Sequence, residues 1–320
     1  MKRLIAFVLI FVTLFAMSAC GARTDAAAPA EEPENYLFFG LDDAAENTDV
    51  ILLASFLPKS GRLTLLQIPR DTFYRDAAEE GKINRYYARL RAGGMSEKEA
   101  LDATGRMYGD FLGIPLRGVF SLTVSGFSAL VDALGGVTLR LPAALTIGGE
   151  TFPAGECRLS GKEAVAFVRY RRGYAGGDLS RLDAQKRFLA ALLSALREQG
   201  TLPGGVRILG ALREHMTSSL DFPTLMRLYL SSRQGLRRAA VTYLTVPGAP
   251  VLTDGGVSYY VISRVGAEQV LAPMGQVAAF DPEERLCPED ARFRSVYLEP
   301  HPVISGYTED ALPFPATEEP

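Results

Sequence analysis

Arginine side chains gather around one predicted loop near the middle of the chain. The run Arg169-Tyr170-Arg171-Arg172 lies at the end of one predicted helix, and Arg181 and Gln185 lie near the start of the next. A guanidinium group is planar, permanently charged and able to bind two phosphate oxygens at once. Arg181 and Gln185 share one helix face because they are four residues apart, and backbone amides near a helix N-terminus also favour anions. The pattern predicts a phosphate-binding site, and a solvated basic patch is the alternative that spacing alone leaves open.

A second arginine of the same kind follows an apolar strand far upstream. Pro69 ends that strand and exposes Arg70 and Asp71 at its carboxyl end, which is where ligands bind in open α/β sheets. The functional interpretation is a phosphate clamp, to which Lys82 would add positive charge. The alternative is a surface ion pair of Arg70 with Asp71 or Glu79, which contributes little to stability.

Acidic side chains lie in the polar loop before the second predicted strand. Asp42, Asp43 and Asp49 offer hard oxygen ligands. Proteins bind Mg²⁺ or Mn²⁺ through one or two such carboxylates together with phosphate oxygens of the substrate. Taken alone, an acidic loop is more often solvated or engaged in Asx turns. Arginines for phosphate and acids for a divalent metal together indicate chemistry on a phosphorylated substrate.

The N-terminus has the pattern of an export signal. Lys2 and Arg3 precede an apolar run, Leu4 to Met17, which is shorter than the roughly 20 residues of a membrane-spanning helix. Small residues then lead to Cys20, as in bacterial lipoprotein signals, so we predict removal of residues 1–19 and lipidation of Cys20. An uncleaved anchor and an ordinary secretory signal are the alternatives. All three export the chain, and the lipoprotein signal predicts a lipid-anchored protein at the extracytoplasmic face of a bacterial cell membrane.

Composition argues against several classes of function. The chain has 320 residues and a formal net charge of −3, and a net-acidic protein is a poor candidate for sequence-independent binding to nucleic acid. The two histidines, His215 and His301, have neither a serine or cysteine partner arrangement nor a zinc-ligand spacing, so a triad hydrolase or a zinc site is poorly supported. Cys157 and Cys287 are far apart in sequence, and a disulfide between them and two unpaired thiols are both open.

Apolar strands and amphipathic helices alternate along the chain. The strand predictions cover 36–40, 50–57, 62–68, 119–124, 137–141, 239–246 and 257–262. The helix predictions cover 84–92, 96–112, 127–134, 160–169, 179–198, 206–215 and 222–231. We predict an α/β fold over residues 35–275, a single domain with a central mixed β-sheet flanked by helices. Residues 20–34 read as a flexible tether, and residues 276–320 as a C-terminal extension that is partly disordered.

Two of the predicted helices begin with a recognisable capping pattern. Ser96 with Glu99 and Ser160 with Glu163 each form the sequence of a capping box, in which serine and glutamate satisfy each other's backbone amides. These patterns predict helix starts directly after Ser96 and Ser160.

The order of several motifs resembles the LytR-CpsA-Psr family of exported cell-wall enzymes. The matching segments are Gly40-Leu41-Asp42, Thr48-Asp49-Val50, LLQIPRDTFY (65–74), Lys82-Ile83-Asn84, FSALVDALGGV (127–137), LSGKEA (159–164) and VRYRRGYAGGDLSRLDAQKRFL (168–189). No single segment is specific, but the long colinear set is. The resemblance covers nearly all of the predicted domain.

The resemblance implies a Mg²⁺-dependent phosphotransferase, with Mn²⁺ as the other metal that such ligands accept. Enzymes of this kind take a glycopolymer, such as teichoic acid or capsule, from a polyprenyl pyrophosphate carrier. They attach it to a peptidoglycan hydroxyl as a phosphodiester. The implied partners are the lipid-linked glycopolymer, peptidoglycan and the membrane, and no nucleic acid is implied.

The resemblance also implies a role for individual residues. Asp42 and Asp49 would hold the metal. The pyrophosphate would be bound by Arg70, Arg169, Arg171, Arg181 and Gln185. The catalytic residues would be Arg70 and Asp71, with Asp71 or another, unassigned carboxylate as the base. The lipid would lie in an apolar groove between the sheet and the helices, built in part from Phe120, Phe127, Leu130 and Phe188.

The sequence departs from the family pattern at two points. Asn47 and Thr48 stand where an arginine often precedes the second aspartate, in a loop that is shorter than in many members, and Ala184 stands where a second arginine often precedes the glutamine. The predicted site is therefore less positive than usual. Three other functions stay open: a non-catalytic lipoprotein that binds polyprenyl phosphates or wall polymer, a polyprenyl pyrophosphate hydrolase, and a transcriptional regulator, against which the acidic charge and the export signal both argue.

Overall fold

The computed structural model describes residues 31–42, 47–170, 177–198, 202–212, 214–221, 223–225, 227–228, 239–277 and 290–299. The strands are β1 (Glu34–Leu41), β2 (Thr48–Leu57), β3 (Arg62–Ile68), β4 (Phe73–Arg75), β5 (Glu80–Lys82), β6 (Gly118–Leu122), β7 (Val137–Leu141), β8 (Leu145–Ile147), β9 (Glu150–Phe152), β10 (Gly155–Leu159), β11 (Met216–Ser218), β12 (Ala240–Thr245), β13 (Gly248–Leu252) and β14 (Ser258–Ile262). The helices are α1 (Arg85–Ala92), α2 (Glu97–Leu112), α3 (Val124–Ala133), α4 (Gly161–Arg169), α5 (Gly177–Glu198), α6 (Leu202–Leu212), α7 (Arg264–Leu271) and α8 (Ala291–Leu298), and a 3₁₀ turn covers Ala272–Met274.

Six strands form the central sheet, in the order β11-β6-β1-β2-β3-β12. β2 is antiparallel to both β1 and β3, whereas β6 is parallel to β1 and β12 is parallel to β3. Parallel neighbours need a crossover connection, and the chain between β1 and β6 contains α1 and α2. The predicted mixed sheet is therefore confirmed.

The central sheet is buried on both faces, and its side chains alternate between two apolar cores. On β2, Leu52, Ala54 and Phe56 belong to the first core, while Ile51 and Leu53 belong to the second. Successive side chains of a strand point to opposite faces, so each core lies on one face of the sheet. Side chains of α3, α4, α5 and α6 complete the first core, and those of α1, α2, α7 and α8 complete the second. The result is three layers, with helices on either side of the sheet.

The helix ends follow the chemistry of their terminal residues. The Ser96 side chain accepts a hydrogen bond from the backbone of Glu99 at the start of α2, and Ser160 does the same with Glu163 at the start of α4. The glutamate side chains accept hydrogen bonds from the backbone N–H groups of the same serines, so both predicted capping boxes are present. Gly113 ends α2 with a φ of 65°, a left-handed conformation that glycine adopts without steric cost.

The last described helix belongs to the second core. Phe293 and Tyr297 of α8 are each 1% exposed. Phe293 meets Phe73 and Tyr259 edge-on, with ring centroids 5.9 and 6.0 Å apart. A segment of the predicted C-terminal extension thus contributes to the packing of the domain. Within the described ranges, no helix combines the length and the apolar character needed to cross a membrane.

Candidate functional site

A β-bulge places Asp49 at the edge of a cavity. Gly40 pairs with Val50 and Leu41 pairs with Thr48, so Asp49 is the extra residue between two pairs. A bulge breaks the alternation of side chains and often re-aims one of them beside an active site. Gly40 suits this point because a Cβ there would lie 3.1 Å from the Cβ of Val50. The close approach of the two strands therefore favours glycine at position 40.

A tight turn after β3 presents Arg70 and Asp71. Thr72, which is fully buried, donates from its backbone N–H and from its Oγ1 to the Pro69 carbonyl, at 3.0 and 2.6 Å. The backbone N–H of Tyr260 donates to the Asp71 carbonyl at 2.8 Å. The turn is thus fixed by its own bonds and by β14.

The charged side chains form a chain of ion pairs across this turn. Arg70 Nη1 lies 2.5 Å from Asp49 Oδ1. Asp71 Oδ1 lies 4.0 Å from Arg70 Nε and 2.9 Å from Lys82 Nζ. The alternative of an Arg70 surface pair with Glu79 is not what the structure shows, because Glu79 lies 3.2 Å from Arg89. The side chains along this chain of ion pairs therefore alternate in charge, and each is held in place by its neighbours, in the order Asp49, Arg70, Asp71 and Lys82.

Asp42 lies at the same end of the sheet. It directly follows β1, and its backbone N–H donates to the Asn47 carbonyl at 2.9 Å. The side chain of Asn47 donates to Asp42 Oδ2, also at 2.9 Å. Because β1 and β2 are antiparallel neighbours, the end of one strand meets the start of the other, and Asp42 and Asp49 are brought to one edge. Asp43 lies outside the described residues.

Two helices add positive charge to the same cavity. Arg169 is the last residue of α4, and Arg181 follows the first turn of α5. Both line the cavity that Asp49 and Arg70 also line. Arg181 is only 7% exposed, and charged side chains are rarely buried so far unless an opposite charge is at hand. Arg171, which was predicted to belong to the same set, lies outside the described residues.

Two polar residues of the cavity wall were missed from the sequence, Gln67 and Lys186. Lys186 of α5 is 4% exposed, and its Nζ lies 2.7 Å from Asp183 Oδ1. Gln67 of β3 is 5% exposed, and its Nε2 donates to Gln185 Oε1 at 2.5 Å. Gln67 follows Leu65 by two residues, so the period of a strand predicts that both face the same core. No comparable signal in the helix marks Lys186.

The cavity itself is mostly apolar. It has a volume of about 260 Å³ and lies between the sheet and helices α3, α4 and α5. All four residues predicted for an apolar groove contribute to its wall, namely Phe120, Phe127, Leu130 and Phe188. Asp49 and Arg70 lie where β2 begins and β3 ends, Arg169 and Arg181 lie at the end of α4 and near the start of α5, and the apolar residues lie further along these strands and helices. An elongated ligand with an anionic head and an apolar tail fits this division.

The carboxylates of Asp42 and Asp49 fit a hard divalent cation that binds together with its ligand. In the part of the chain that the structure describes, no three His, Cys, Asp or Glu side chains converge on one point. Mg²⁺ keeps several waters and commonly takes only one or two carboxylates plus phosphate oxygens. The oxygen-only donor pair therefore fits such a metal, and it does not form a complete protein cage.

The predicted cysteine sites lie largely outside the described residues, which include neither Cys20 nor Cys287. Cys157 of β10 is a buried thiol that forms no disulfide with any residue placed by the structure. Its burial raises the pKa of the thiol, which makes it less reactive. The question of a Cys157–Cys287 bridge thus stays as open as the sequence leaves it.

Comparisons with known proteins find relatives in one family. A profile of the LytR_cpsA_psr family matches residues 16–275. The chain is 28% identical over 233 residues to the polyisoprenyl-teichoic acid–peptidoglycan teichoic acid transferase TagU of Oceanobacillus iheyensis, over 72% of this chain and 71% of TagU. It is 29% identical over 265 residues to the cell wall biosynthesis protein LcpA of Corynebacterium glutamicum, over 75% of this chain but only 49% of LcpA. Its fold is similar to that of TagT bound to LI-WTA, with a TM-score of 0.60 and 20% identity over 79% of this chain and 95% of TagT.

Proposed function

The chain belongs to the LytR-CpsA-Psr family, and from this premise we propose that it transfers a glycopolymer from a polyprenyl diphosphate carrier to a peptidoglycan hydroxyl. The relatives TagU and LcpA are named for teichoic acid transfer to peptidoglycan and for cell wall biosynthesis. One observation supports the proposal most. Charged and amide side chains from β2, the turn after β3, α4 and α5 line one end of a cavity that is otherwise apolar, namely Asp49, Arg70, Arg169, Arg181 and Gln185.

The proposed carrier matches the cavity in both charge and polarity. A diphosphate carries several negative charges, and the guanidinium groups of Arg70, Arg169 and Arg181 can bind its oxygens in pairs. The polyprenyl chain is apolar and would gain free energy by burial against the aromatic and aliphatic wall. Arg171 belongs to the proposed set as well, on the resemblance alone. This division of the wall favours a lipid-linked substrate over a free nucleotide or inorganic phosphate.

The reaction that we propose is one displacement at phosphorus. The peptidoglycan hydroxyl oxygen attacks the phosphorus that bears the glycopolymer, and a new P–O bond forms. The P–O bond to the bridging oxygen of the diphosphate breaks, and polyprenyl phosphate leaves. The hydroxyl proton passes to a base, and the product is a phosphodiester. Phosphoryl transfer depends on charge stabilisation and alignment more than on covalent help from the protein, which is what an arginine cluster supplies.

We propose Asp42 and Asp49 as the residues that hold Mg²⁺ or Mn²⁺. When bound, the metal neutralises charge on the phosphate oxygens and orients them. The protein's own part is positional, because Arg70 fixes the Asp49 carboxylate and Asn47 fixes that of Asp42.

The base is the least constrained of the proposed roles. Asp71 is the candidate, and its carboxylate is held by Lys82 rather than in the cavity wall. An acceptor hydroxyl would therefore have to reach Asp71 from the Lys82 side of the turn. Another carboxylate near the diphosphate is the alternative.

We also propose that the chain is lipid-anchored through Cys20 at the extracytoplasmic face of the membrane. The support is the order of charged, apolar and small residues before Cys20. Mass spectrometry of the chain purified from its host checks this. A diacylglyceryl thioether on an N-terminal Cys20 is expected, and recovery of an intact, unmodified N-terminus contradicts the anchor.

The transfer itself is tested with the full chain in detergent. The chain is mixed with a polyprenyl-diphosphate-linked sugar and peptidoglycan fragments, with Mg²⁺ or with a chelator, and products are followed by mass spectrometry. A metal-dependent sugar–phosphate–peptidoglycan conjugate is expected, together with one polyprenyl phosphate per conjugate. Release of polyprenyl phosphate without any conjugate would instead identify a hydrolase, and binding without turnover would identify a carrier-binding protein.

A further inference from the structure

One buried polar side chain of the cavity wall has no part in the reaction described so far. Gln67 lies on β3 of the central sheet, is 5% exposed, and lines the cavity together with Gln185. Burying an amide costs free energy unless its polar atoms are hydrogen-bonded. An apolar side chain would pack equally well beside Leu65, so the amide calls for an explanation.

A single backbone carbonyl fixes the orientation of both glutamines. The Val168 carbonyl can only accept, so the group of Gln185 that faces it, at 3.0 Å, must be the NH₂ group. The oxygen of Gln185 then faces Gln67 at 2.5 Å, and Gln67 must offer its own NH₂ group there. Turning either amide over would place two oxygens against each other. Gln67, Gln185 and the Val168 carbonyl thus form a hydrogen-bonded relay. The assignment of nitrogen and oxygen in this relay follows from chemistry, although the two ends of an amide look alike in most structures.

The relay leaves one group of each amide uncommitted. The second N–H of Gln185 has no acceptor among the described residues, and Gln185 lies four residues after Arg181, on the same helix face and in the same cavity wall. Gln67 Oε1 is buried and has no hydrogen-bond partner in the described ranges. The first group is a donor that suits a phosphate oxygen. The second is an acceptor that would repel one.

We infer that Gln67 is a positioning residue for the diphosphate. This inference rests on the proposed function, and it assigns Gln67 a role through Gln185 rather than through contact with phosphate. By holding the Gln185 oxygen, Gln67 adds a second anchor to the one from the Val168 carbonyl and keeps the Gln185 side chain from swinging away from the diphosphate.

The test is a double-mutant cycle on the full chain in detergent, with farnesyl diphosphate as the probe and titration calorimetry as the readout. The variants are Gln67→Met, which has a similar shape and no amide, Gln185→Ala, and both together. Gln67→Met is expected to weaken binding about tenfold, close to the effect of losing one hydrogen bond to a charged group. Because Gln67 acts through Gln185, the double variant should bind no more weakly than Gln185→Ala alone.

A matched control and a second variant separate positioning from packing. Leu63→Met changes the same face of β3 without touching the relay, and it should bind as the parent does because Leu63 is buried in the first core but does not line the cavity. Gln67→Glu keeps the shape but replaces the donor by an acceptor, so it should bind more weakly than Gln67→Met and should raise the KM for the carrier more than it lowers kcat. Circular dichroism checks that each variant is folded.

The possible outcomes distinguish a failure of the inference about Gln67 from a failure of the proposed function. A parent chain that does not bind farnesyl diphosphate contradicts the proposed function, and the inference falls with it. A parent that binds while Gln67→Met or Gln67→Glu binds equally well overturns the inference alone. Additive losses in the double variant also overturn it, because they would mean that Gln67 acts independently of Gln185.

Discussion

The contact between Asp49 and Arg70 joins the proposed metal site to the proposed diphosphate site. Asp49→Asn keeps the shape of the side chain but removes the charge that faces both Arg70 and the cation. We expect transfer to fall by about 100-fold or more, as when one charge-stabilising group is lost elsewhere. The fold should persist, because the Asp49 side chain is partly exposed at 28%. Conjugate formation and circular dichroism measure the two effects.

Asp102→Asn is the matched control for that variant. Asp102 forms an ion pair with Lys98 one turn away on the surface of α2, and such pairs contribute little to stability. Neither residue lines the cavity. Transfer by Asp102→Asn should equal that of the parent. If Asp49→Asn also transfers at the parent rate, the metal and charge roles of Asp49 are wrong.

Arg181 is a deeply buried member of the proposed diphosphate-binding set. A guanidinium buried to 7% exposure loses much of its hydration, and removing one charged member of a buried pair leaves its partner uncompensated. We therefore expect Arg181→Met to bind farnesyl diphosphate about 10- to 100-fold more weakly and to have a lower thermal midpoint as well. Calorimetric titration and thermal melting test the two halves. Unchanged affinity with a lower midpoint would assign Arg181 a structural role instead.

The sequence predicts some residues of the proposed site and does not predict others. Asp49 and Arg70 were predicted from motifs, and the bulge and the turn bring them together. Gln67 is not predicted, because a single polar residue in an apolar strand has no recognisable pattern until its partner on α5 is known. Lys186 was overlooked because its burial depends on how α5 is rotated against the sheet. Contacts between distant segments decide both cases, and no local pattern records them.

At the scale of elements, the close packing of α4 on α3 sets the position of Arg169. A Cβ at Gly161 would lie 2.2 Å from the Ser128 carbonyl oxygen and 2.6 Å from Asp132 Oδ2. Gly161→Ala should therefore push α4 away and cost about 1–3 kcal/mol of unfolding free energy. The shift should also weaken diphosphate binding, because Arg169 ends the same helix. Urea unfolding and calorimetric titration are the measurements.

Gly210→Ala is the control for the same substitution in another helix. Nothing lies within 4 Å of a Cβ at Gly210 in α6, and alanine is favoured over glycine inside a helix by about 1 kcal/mol. This variant should be as stable as the parent or more stable. If Gly161→Ala proves equally harmless, α3 and α4 are not packed as closely as the structure has them.

The hairpin of β4 and β5 carries a pH-dependent contact with α1. Burial alone would raise the pKa of Asp76, but hydrogen bonds from Arg89 and from the backbone N–H groups of Ala78 and Glu79 outweigh it, and the pKa is lowered. A lowered pKa stabilises the fold above the unfolded value of about 3.9 and loses that contribution as pH falls through the folded value. Asp76→Asn should therefore be less stable than the parent at pH 7, and the gap should close below about pH 4. Parallel stability curves from pH 7 to pH 3 would contradict this.

Element boundaries show where local chemistry was sufficient. The capping boxes gave the starts of α2 and α4 because both partners of each box lie within four residues. The helix predicted over 206–215 instead spans Leu202–Leu212, since proline is tolerated in the first turn of a helix and need not mark a loop. The short strand β11 was not predicted, because three residues at a sheet edge carry almost no pattern. It exists through its pairing with β6.

For the whole molecule, the mixed sheet and its helices could be predicted from alternation of apolar strands and amphipathic helices. The different roles of the two faces of the sheet could not be predicted in this way. Both cores draw on similar side chains, and the sequence does not say that the first core encloses a cavity. The cavity arises from how α3, α4 and α5 stand over β1, β2 and β3, which depends on packing among segments more than 50 residues apart.

Because the cavity lies on the first-core face of the sheet, we predict that a substitution in the second core can lower stability without changing ligand binding. Phe293 of α8 is buried in the second core, on the side of the sheet opposite the cavity. Phe293→Ala should cost about 3–5 kcal/mol of unfolding free energy, as for other buried phenylalanines. Below its midpoint, the variant should still bind farnesyl diphosphate like the parent, because the first core and the charged end are untouched. Leu298→Ala on the same helix, where the side chain is 41% exposed, should change neither property. Loss of affinity in folded Phe293→Ala would show that the second core controls the cavity through the sheet, and the two faces would then have to be treated as one unit.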